Sequence, residues 1–418
     1  MTSTPVADTA TTNAAAAAPS RPSLPRLDSL TGLRFAAAFA VLLHHSPNLV
    51  TIPAIRPYTQ WGQLGVSFFF VLSGFVLVWS RRQGDTAGRF YWRRFARIWP
   101  MLAVATVLAV PVFYQGRDID VNVTGVLLSV LLLQAWFPES SIYLAGNPAA
   151  WSLSCEAFFY AVFPFVVLRF SHRRLRTLLV IGVSLVLLAL AFSIWINSVT
   201  DRVQWPLYIN PAFRVVEFIL GMLLATAISR GWRPPWSMGT AVALLALWVV
   251  ILSDTRPRLS STGQELLNTT WWVVSPLLFV MIIGAAAQRD LDGRRSIWRT
   301  RPLIKLGEWS YALYLTHATL LHFLLQRYGV QPAANSSIWI LLAYAAAAIA
   351  LAAVCYTLVE HPVEKYLRSL QRRWIARREA RKARRAEAAT PVTEAAAPVA
   401  EVTAPPENAE RTDRSAAS

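Results

Sequence analysis

Apolar runs separated by short polar connections recur from about residue 30 to residue 359. Eleven stretches stand out: 30–49, 64–80, 98–114, 122–138, 151–168, 177–197, 211–229, 237–253, 267–287, 309–326 and 338–359. Most approach the length of about 20 residues that a helix needs to cross the hydrocarbon core. The pattern predicts an all-α, polytopic membrane helical bundle, because a helix satisfies its own backbone hydrogen bonds inside a bilayer.

The basic residues orient these segments. The connection 81–97 holds Arg81, Arg82, Arg89, Arg93, Arg94 and Arg97, and 169–176 holds Arg169, Arg173, Arg174 and Arg176. The stretch 289–305 and the tail after Lys365 are also strongly basic. An excess of Arg and Lys marks cytoplasmic loops, so all four are expected on that side. From residue 177 onward six spans alternate without conflict. Between 97 and 169, however, three candidate segments must return the chain to the side it left, and one of them therefore does not cross. Segment 122–138 is the weakest, with an apolar part of only about 15 residues. It is expected to be re-entrant or half-inserted, with its ends covered by protein. About ten spans follow, in a cell membrane, with both termini cytoplasmic. No internal repeat is visible, which removes support for an inverted-repeat transporter.

The flanks differ from this core. Residues 1–26 are Ala, Thr, Pro and Ser, and read as a disordered cytoplasmic leader rather than a signal peptide. Residues 27–362 form the membrane domain. Residues 363–386 carry ten Arg and Lys on a helix-forming background. They suit either a surface helix at the anionic cytoplasmic leaflet or a solvated basic helix. Residues 387–418 are expected to be a disordered tail.

Composition agrees with this outline. Mean hydropathy is +0.40 and 55% of residues are hydrophobic, above the norm for a soluble domain. Seventeen Trp suit interfacial belts and packed bundles. The net charge of +17 lies in loops and one tail, which is membrane topology and not a nucleic-acid surface. Lysine is nearly absent and alanine abundant, a bias that suggests a high-GC bacterial genome. Cys155 and Cys355 sit singly in apolar segments, as buried thiols with neither a disulfide framework nor metal-ligand spacing.

Against this background a few polar residues carry candidate chemistry. Arg34 and His45 lie eleven residues apart in LTGLRFAAAFAVLLHHS. On a helix they share a face, ~16 Å apart along the axis, whereas His44 lies about 80° away. A cation and an imidazole within a membrane helix are costly, and so are functional candidates. Snorkelling of Arg34 and a structural hydrogen bond at His45 are the plainer alternatives. Neutral His45 suits a general base. In FYWRRFARIWP, Arg94 and Arg97 are three apart and project together, which suits phosphate recognition, although basic residues also routinely flank spans. Ser152, Glu156 and Tyr160 form one polar stripe at i, i+4, i+8, in which Glu156 orients an imidazole, binds a substrate hydroxyl, or forms a buried ion pair. Ser310, Tyr314 and His317 form a second stripe, lining a cavity or packing with satisfied hydrogen bonds. His322 falls about 140° off that face and is set aside. Arg214 and Glu217 read as a structural pair, and Ser73-Gly74 as a site of close helix approach.

Together these motifs resemble the acyltransferase-3 family of integral membrane O-acyltransferases. The match comprises the LxGLRxxAA start with Arg34 and His45, SGFxL at Ser73–Leu77, RxxR at Arg94 and Arg97 followed by Pro100, and WSLxxExxFY at Trp151, Ser152, Glu156 and Tyr160. It continues with RxxEFxxGM at Arg214, Glu217 and Gly221, and SYxLYLxH at Ser310, Tyr311, Tyr314 and His317. The resemblance covers about 27–368. It implies transfer of an acyl group, commonly acetyl from acetyl-CoA as donor substrate, to a hydroxyl of a carbohydrate-containing acceptor. The acceptor would be a cell-envelope glycan or a glycosylated natural product such as a macrolide. It also implies that Arg34 and His45 are the critical pair and that Arg94 and Arg97 bind the donor. Many bacterial members carry a further SGNH-type domain. Here residues 363–418 are polar and short, so transfer is expected to finish in the membrane domain or on a separate protein.

The expected mechanism places acyl-CoA phosphates on Arg94 and Arg97, the donor along Arg34, and the acceptor hydroxyl at His45, either activated by it or receiving an acyl group from it. Glu156 tunes His45 or binds acceptor, while Ser152, Tyr160, Tyr314 and His317 line the cavity. The rival reading is a transporter of a sugar-linked lipid or natural product, moving substrate without consuming acyl-CoA. A non-catalytic scaffold leaves the buried charges unexplained.

Overall fold

The computed structural model describes residues 24–81, 85–114, 122–170 and 172–389, and every regular element among them is helical. The proposed leader up to residue 23 and the tail from 390 lie outside the described residues. The principal helices are α1 (Asp28–His45), α2 (Gly65–Trp79), α3 (Ala87–Tyr114), α4 (Val123–Val130), α5 (Trp151–Phe170), α6 (Leu175–Val199), α7 (Pro211–Ser229), α8 (Met238–Val250), α9 (Ser261–Leu291), α10 (Arg301–Tyr328), α11 (Ile338–Cys355) and α12 (His361–Ala389). The chain divides into two units, Met1–Ser369 and Leu370–Ser418. The first holds the bundle, and of the second the described part is the helix to Ala389.

Among the described residues, eight helical segments are long and apolar enough to cross a membrane, fewer than the ten counted from the apolar runs. The helices α1 and α10 drop out by composition, not by length. They carry Asp28, Arg34, His44 and His45, and Arg301, Lys305, Glu308, His317 and His322. The two helices pack against each other, and of these residues His317 is buried, whereas Arg301 and Lys305 are exposed at the start of α10. A methyl group at Gly307 would meet the Thr31 carbonyl oxygen at 1.9 Å, so only glycine allows this crossing. The first turn of α1 is also satisfied from outside: Asp290 accepts from the Ser29 backbone N–H at 2.8 Å and from its hydroxyl at 2.6 Å.

A second close crossing joins α2 to α7. A methyl at Gly74 would strike the Phe218 carbonyl oxygen, and one at Gly221 the Val71 carbonyl oxygen, each at 1.9 Å. Near it lies the buried Arg214–Glu217 pair, 2.8 Å apart, with Arg214 donating to Ser67 at 3.0 Å and lying over the Phe70 and Tyr208 rings. On the periphery, α6 turns its apolar side outward, with Leu179 and Leu188 68% and 66% exposed. That surface is suited to lipid.

The segment between α3 and α5 resolves as the charge pattern required. The apolar run 122–138 forms only α4, eight residues long, or ~12 Å against a core of ~30 Å. A turn follows at Leu132, whose φ of +59° ends the helix. The Tyr114 hydroxyl accepts from the Gly146 N–H at 3.0 Å, tying the end of α3 to the start of α5. The chain thus enters and leaves this segment at the same end of the bundle.

Candidate functional site

Two adjoining cavities occupy the bundle, and the shared face of α1 runs past both. The first, about 320 Å³, is lined by Arg34, Ser73, Arg94, Arg97, Ser152, Glu156, Tyr160, Ser310, Tyr311 and Tyr314, joined by Glu364 and Arg368 from α12. The second, about 290 Å³, is lined by His44, His45, Tyr143, Trp151, Tyr208, Tyr314, His317 and His322. Tyr314 belongs to both. Its hydroxyl lies 2.7 Å from Ser152 Oγ. Because Ser152 donates its one hydrogen to the Ala149 carbonyl at 3.1 Å, Tyr314 is the donor to Ser152. This bond forms part of the wall between the cavities.

The first cavity is cationic. Arg34 and Arg94 make neither an ion pair nor a hydrogen bond among the described residues, and Arg94 instead lies over the Tyr160 and Phe90 rings at 5.7 and 5.8 Å. Arg97 differs: it donates to Glu360 at 2.6 Å and to Glu364 at 3.0 Å, and lies over Tyr311. The two arginines read as an equivalent pair in the sequence therefore hold unequal charge environments, because Glu360, just before α12, and Glu364, in its first turn, reach one of them alone. The single carboxylate on α5, Glu156, accepts from the Tyr160 hydroxyl and from Ser73 at 3.2 Å. It faces the cavity that holds Arg34 and does not hydrogen-bond His45. The expected tuning of His45 by Glu156 has no direct contact behind it.

The second cavity gathers the imidazoles. His45 Nδ1 lies 2.9 Å from the Val41 carbonyl oxygen and 3.4 Å from His317 Nε2. A carbonyl only accepts, so Nδ1 carries the hydrogen and His45 Nε2 keeps its lone pair. His317 is held in the same tautomer by the Tyr314 carbonyl, 2.7 Å from its Nδ1. Its Nε2 therefore accepts from His45. Aromatic rings surround this space, with Trp151 and Tyr208 centroids 4.8 Å apart. The structure thus brings Arg34, Arg94, Arg97, Ser152, Glu156, Tyr160 and Tyr314 to one cavity, and His45, Tyr314 and His317 to the other. Arg34 and His45 share a face but not a chamber.

Some lining residues escaped the sequence reading. His322 lies off the Tyr314 face, yet it lines the second cavity with its ring 4.5 Å from Phe113, because the cavity extends around α10 toward α3. His44 also reaches it, with Nδ1 donating to the Gln60 carbonyl at 2.7 Å. Glu360, Glu364 and Arg368 stand at i, i+4, i+8, a stripe visible in the sequence but obscured by the basic run around it. Ser73, read as a small packing residue, also hydrogen-bonds Glu156.

A family described as an acyltransferase domain matches residues 27–357. Among individual proteins, Acyltransferase MdmB of Streptomyces mycarofaciens is 31% identical over 379 residues, covering 82% of this chain and 92% of that protein. Peptidoglycan O-acetyltransferase OatA of Listeria monocytogenes is 25% identical, covering 81% of this chain but only 56% of its own length. Exopolysaccharide production protein ExoZ of Rhizobium meliloti is 29% identical over 259 residues, 61% of this chain and 75% of that protein. No solved structure matches the chain.

Proposed function

This chain belongs to the acyltransferase-domain family and is a multi-pass membrane acyltransferase, and from that premise we propose that it moves an acyl group, foremost acetyl, from acyl-CoA to a hydroxyl of a carbohydrate-containing acceptor. A cell-envelope glycan and a glycosylated natural product both fit that acceptor class. The observation that carries this reading is the pairing of an arginine-lined cavity with a histidine-lined one across the wall formed by Tyr314. The first suits a polyanionic donor, since guanidinium forks bind phosphate bidentately. The second suits a sugar, with aromatic faces for the ring and an imidazole for the hydroxyl.

In this mechanism the donor enters from the cytoplasmic end, its phosphates held by Arg94 and Arg97, with Arg34 further along. The acyl thioester reaches past Tyr314 toward His45. The acceptor hydroxyl gives its proton to His45 Nε2 as its oxygen bonds to the thioester carbon. The carbon–sulfur bond then breaks, and the leaving thiolate takes the proton from His45. Arg34 lies ~16 Å from His45 along α1 and lines the first cavity, not the second. Its part is to hold the donor. His317 keeps the His45 ring oriented. The two cavities enclose the thioester in protein, which limits hydrolysis.

The test is free-thiol release from acetyl-CoA by purified protein with a panel of glycan and glycosylated macrolide acceptors. Acceptor-dependent release is expected, and His45→Ala should lower it by about 10²–10⁴-fold with the fold intact. Full activity in His45→Ala removes the base assignment. Acceptor movement without acyl-CoA consumption overturns the reading in favour of transport.

A further inference from the structure

Two side chains from the start of α12 reach the first cavity, and they link it to α3 through one chain of charge. Arg97 Nη1 donates to Glu364 Oε2 at 3.0 Å, while Arg368 Nη2 pairs with Glu364 Oε1. Each carboxylate oxygen is taken by a different guanidinium, so Glu364 bridges the two. Arg97 does not need this second carboxylate for charge balance. Glu360, only 1% exposed, already holds it at 2.6 Å. Nor does α12 need Glu364 to stay in place here, since Trp92 Nε1 donates to the Leu367 carbonyl at 2.9 Å. What remains is an anion held between two guanidinium forks at the lining of a cationic cavity. A phosphoryl group, with more oxygens and more charge, takes that position more favourably than a carboxylate.

We propose that Glu364 is an internal stand-in for a donor phosphate, bridging Arg97 and Arg368 and yielding both guanidiniums when the donor binds. Arg368 is then a third donor-binding cation beside Arg94 and Arg97, contributed by the helix that follows the last span. Glu364 limits how tightly the donor is held, by competing for the same forks. A carboxylate competitor of this kind keeps product CoA from lingering, because the site regains an anion as CoA leaves. The proposal rests on reading the first cavity as the donor site, and the experiment separates the two.

The measurement is calorimetric titration of the purified full-length protein, in lipid nanodiscs, with CoA. Glu364→Gln removes the competing charge and is expected to tighten CoA binding about tenfold, and Arg368→Gln to weaken it about tenfold. In acyl transfer, both variants are expected to move the donor KM more than kcat. Unchanged or weaker binding in folded Glu364→Gln overturns the stand-in role. Unchanged binding in Arg368→Gln overturns its place in the donor site. Arg368 is 41% exposed, so its variant keeps the test decisive if Glu364→Gln fails to fold. Arg94→Ala serves as the reference. If it loses CoA while Arg368→Gln does not, the inference fails alone. If wild type does not bind CoA at all, the donor reading fails and takes the inference with it.

Discussion

At the scale of single residues, unequal partners separate side chains that look alike in the sequence. Arg94 and Arg97 are the clearest case. Arg94 meets only aromatic faces among the described residues, whereas Arg97 compensates Glu360 in the interior. Arg94→Ala is therefore expected to raise the donor KM with little loss of stability. Arg97→Ala leaves a buried carboxylate unpaired and is expected to cost about 3–5 kcal/mol as well. Comparing thermal midpoints and donor KM for the two variants checks this, and equal midpoints would contradict it. Tyr314→Phe removes the hydroxyl that bonds Ser152 and leaves the ring. A loss of about 0.5–1.5 kcal/mol in stability is expected for that bond. If the wall between the cavities also controls passage of the acyl group, kcat changes by more than that loss explains.

Among the elements, glycine placement decides which helices touch. The crossing of α2 and α7 depends on Gly74 and Gly221, each facing a carbonyl of the other helix. Gly221→Val is expected to push these helices apart and, as overpacking, to destabilise by about 1–3 kcal/mol or more. A thermal melt of the detergent-solubilised protein measures it, and a wild-type midpoint would show the crossing to be slack. The adjacent Arg214–Glu217 pair offers a double-mutant test. Arg214→Met alone strands Glu217 and should cost about 3–5 kcal/mol, while Arg214→Met with Glu217→Met recovers much of the loss. The ion pair was legible as a pair from its i, i+3 spacing. Its embrace by Ser67, Phe70 and Tyr208 was not, because those residues arrive from α2 and from the segment before α7.

For the molecule as a whole, the short α4 sets the topology. With the chain entering and leaving at one end, the connection before α3 and the one after α5 are expected on the same side of the membrane. Replacing Cys155 and Cys355 and introducing Gly88→Cys or His172→Cys provides the test. Both positions are expected to react with an impermeant thiol reagent from the cytoplasmic face only. Labelling from opposite faces would place α4 across the bilayer. Charge alone already implied this arrangement, since two basic connections flanked an odd number of apolar segments. The count of spans was harder to read. Hydropathy is blind to whether a polar helix meets lipid or an interior cavity, and α1 and α10 turn Arg34, His45 and His317 toward such cavities.

By itself the sequence determined the class of fold, the apolar segments and the candidate residues for chemistry. Each of these depends on local quantities: the length of an apolar run, the spacing along one helix face, the sign of a loop. The stripes Arg34–His45, Ser152–Glu156–Tyr160 and Ser310–Tyr314–His317 are of this kind. Only the tertiary structure decided how those stripes divide between two chambers. It seated Glu156 with Ser73 and Tyr160, joined His45 to His317, and brought Glu360 and Glu364 to Arg97. The contact between Arg97 and Glu360 spans 263 residues. Such long-range pairings depend on how close neighbouring helices come, and that distance is set by side chains on both at once.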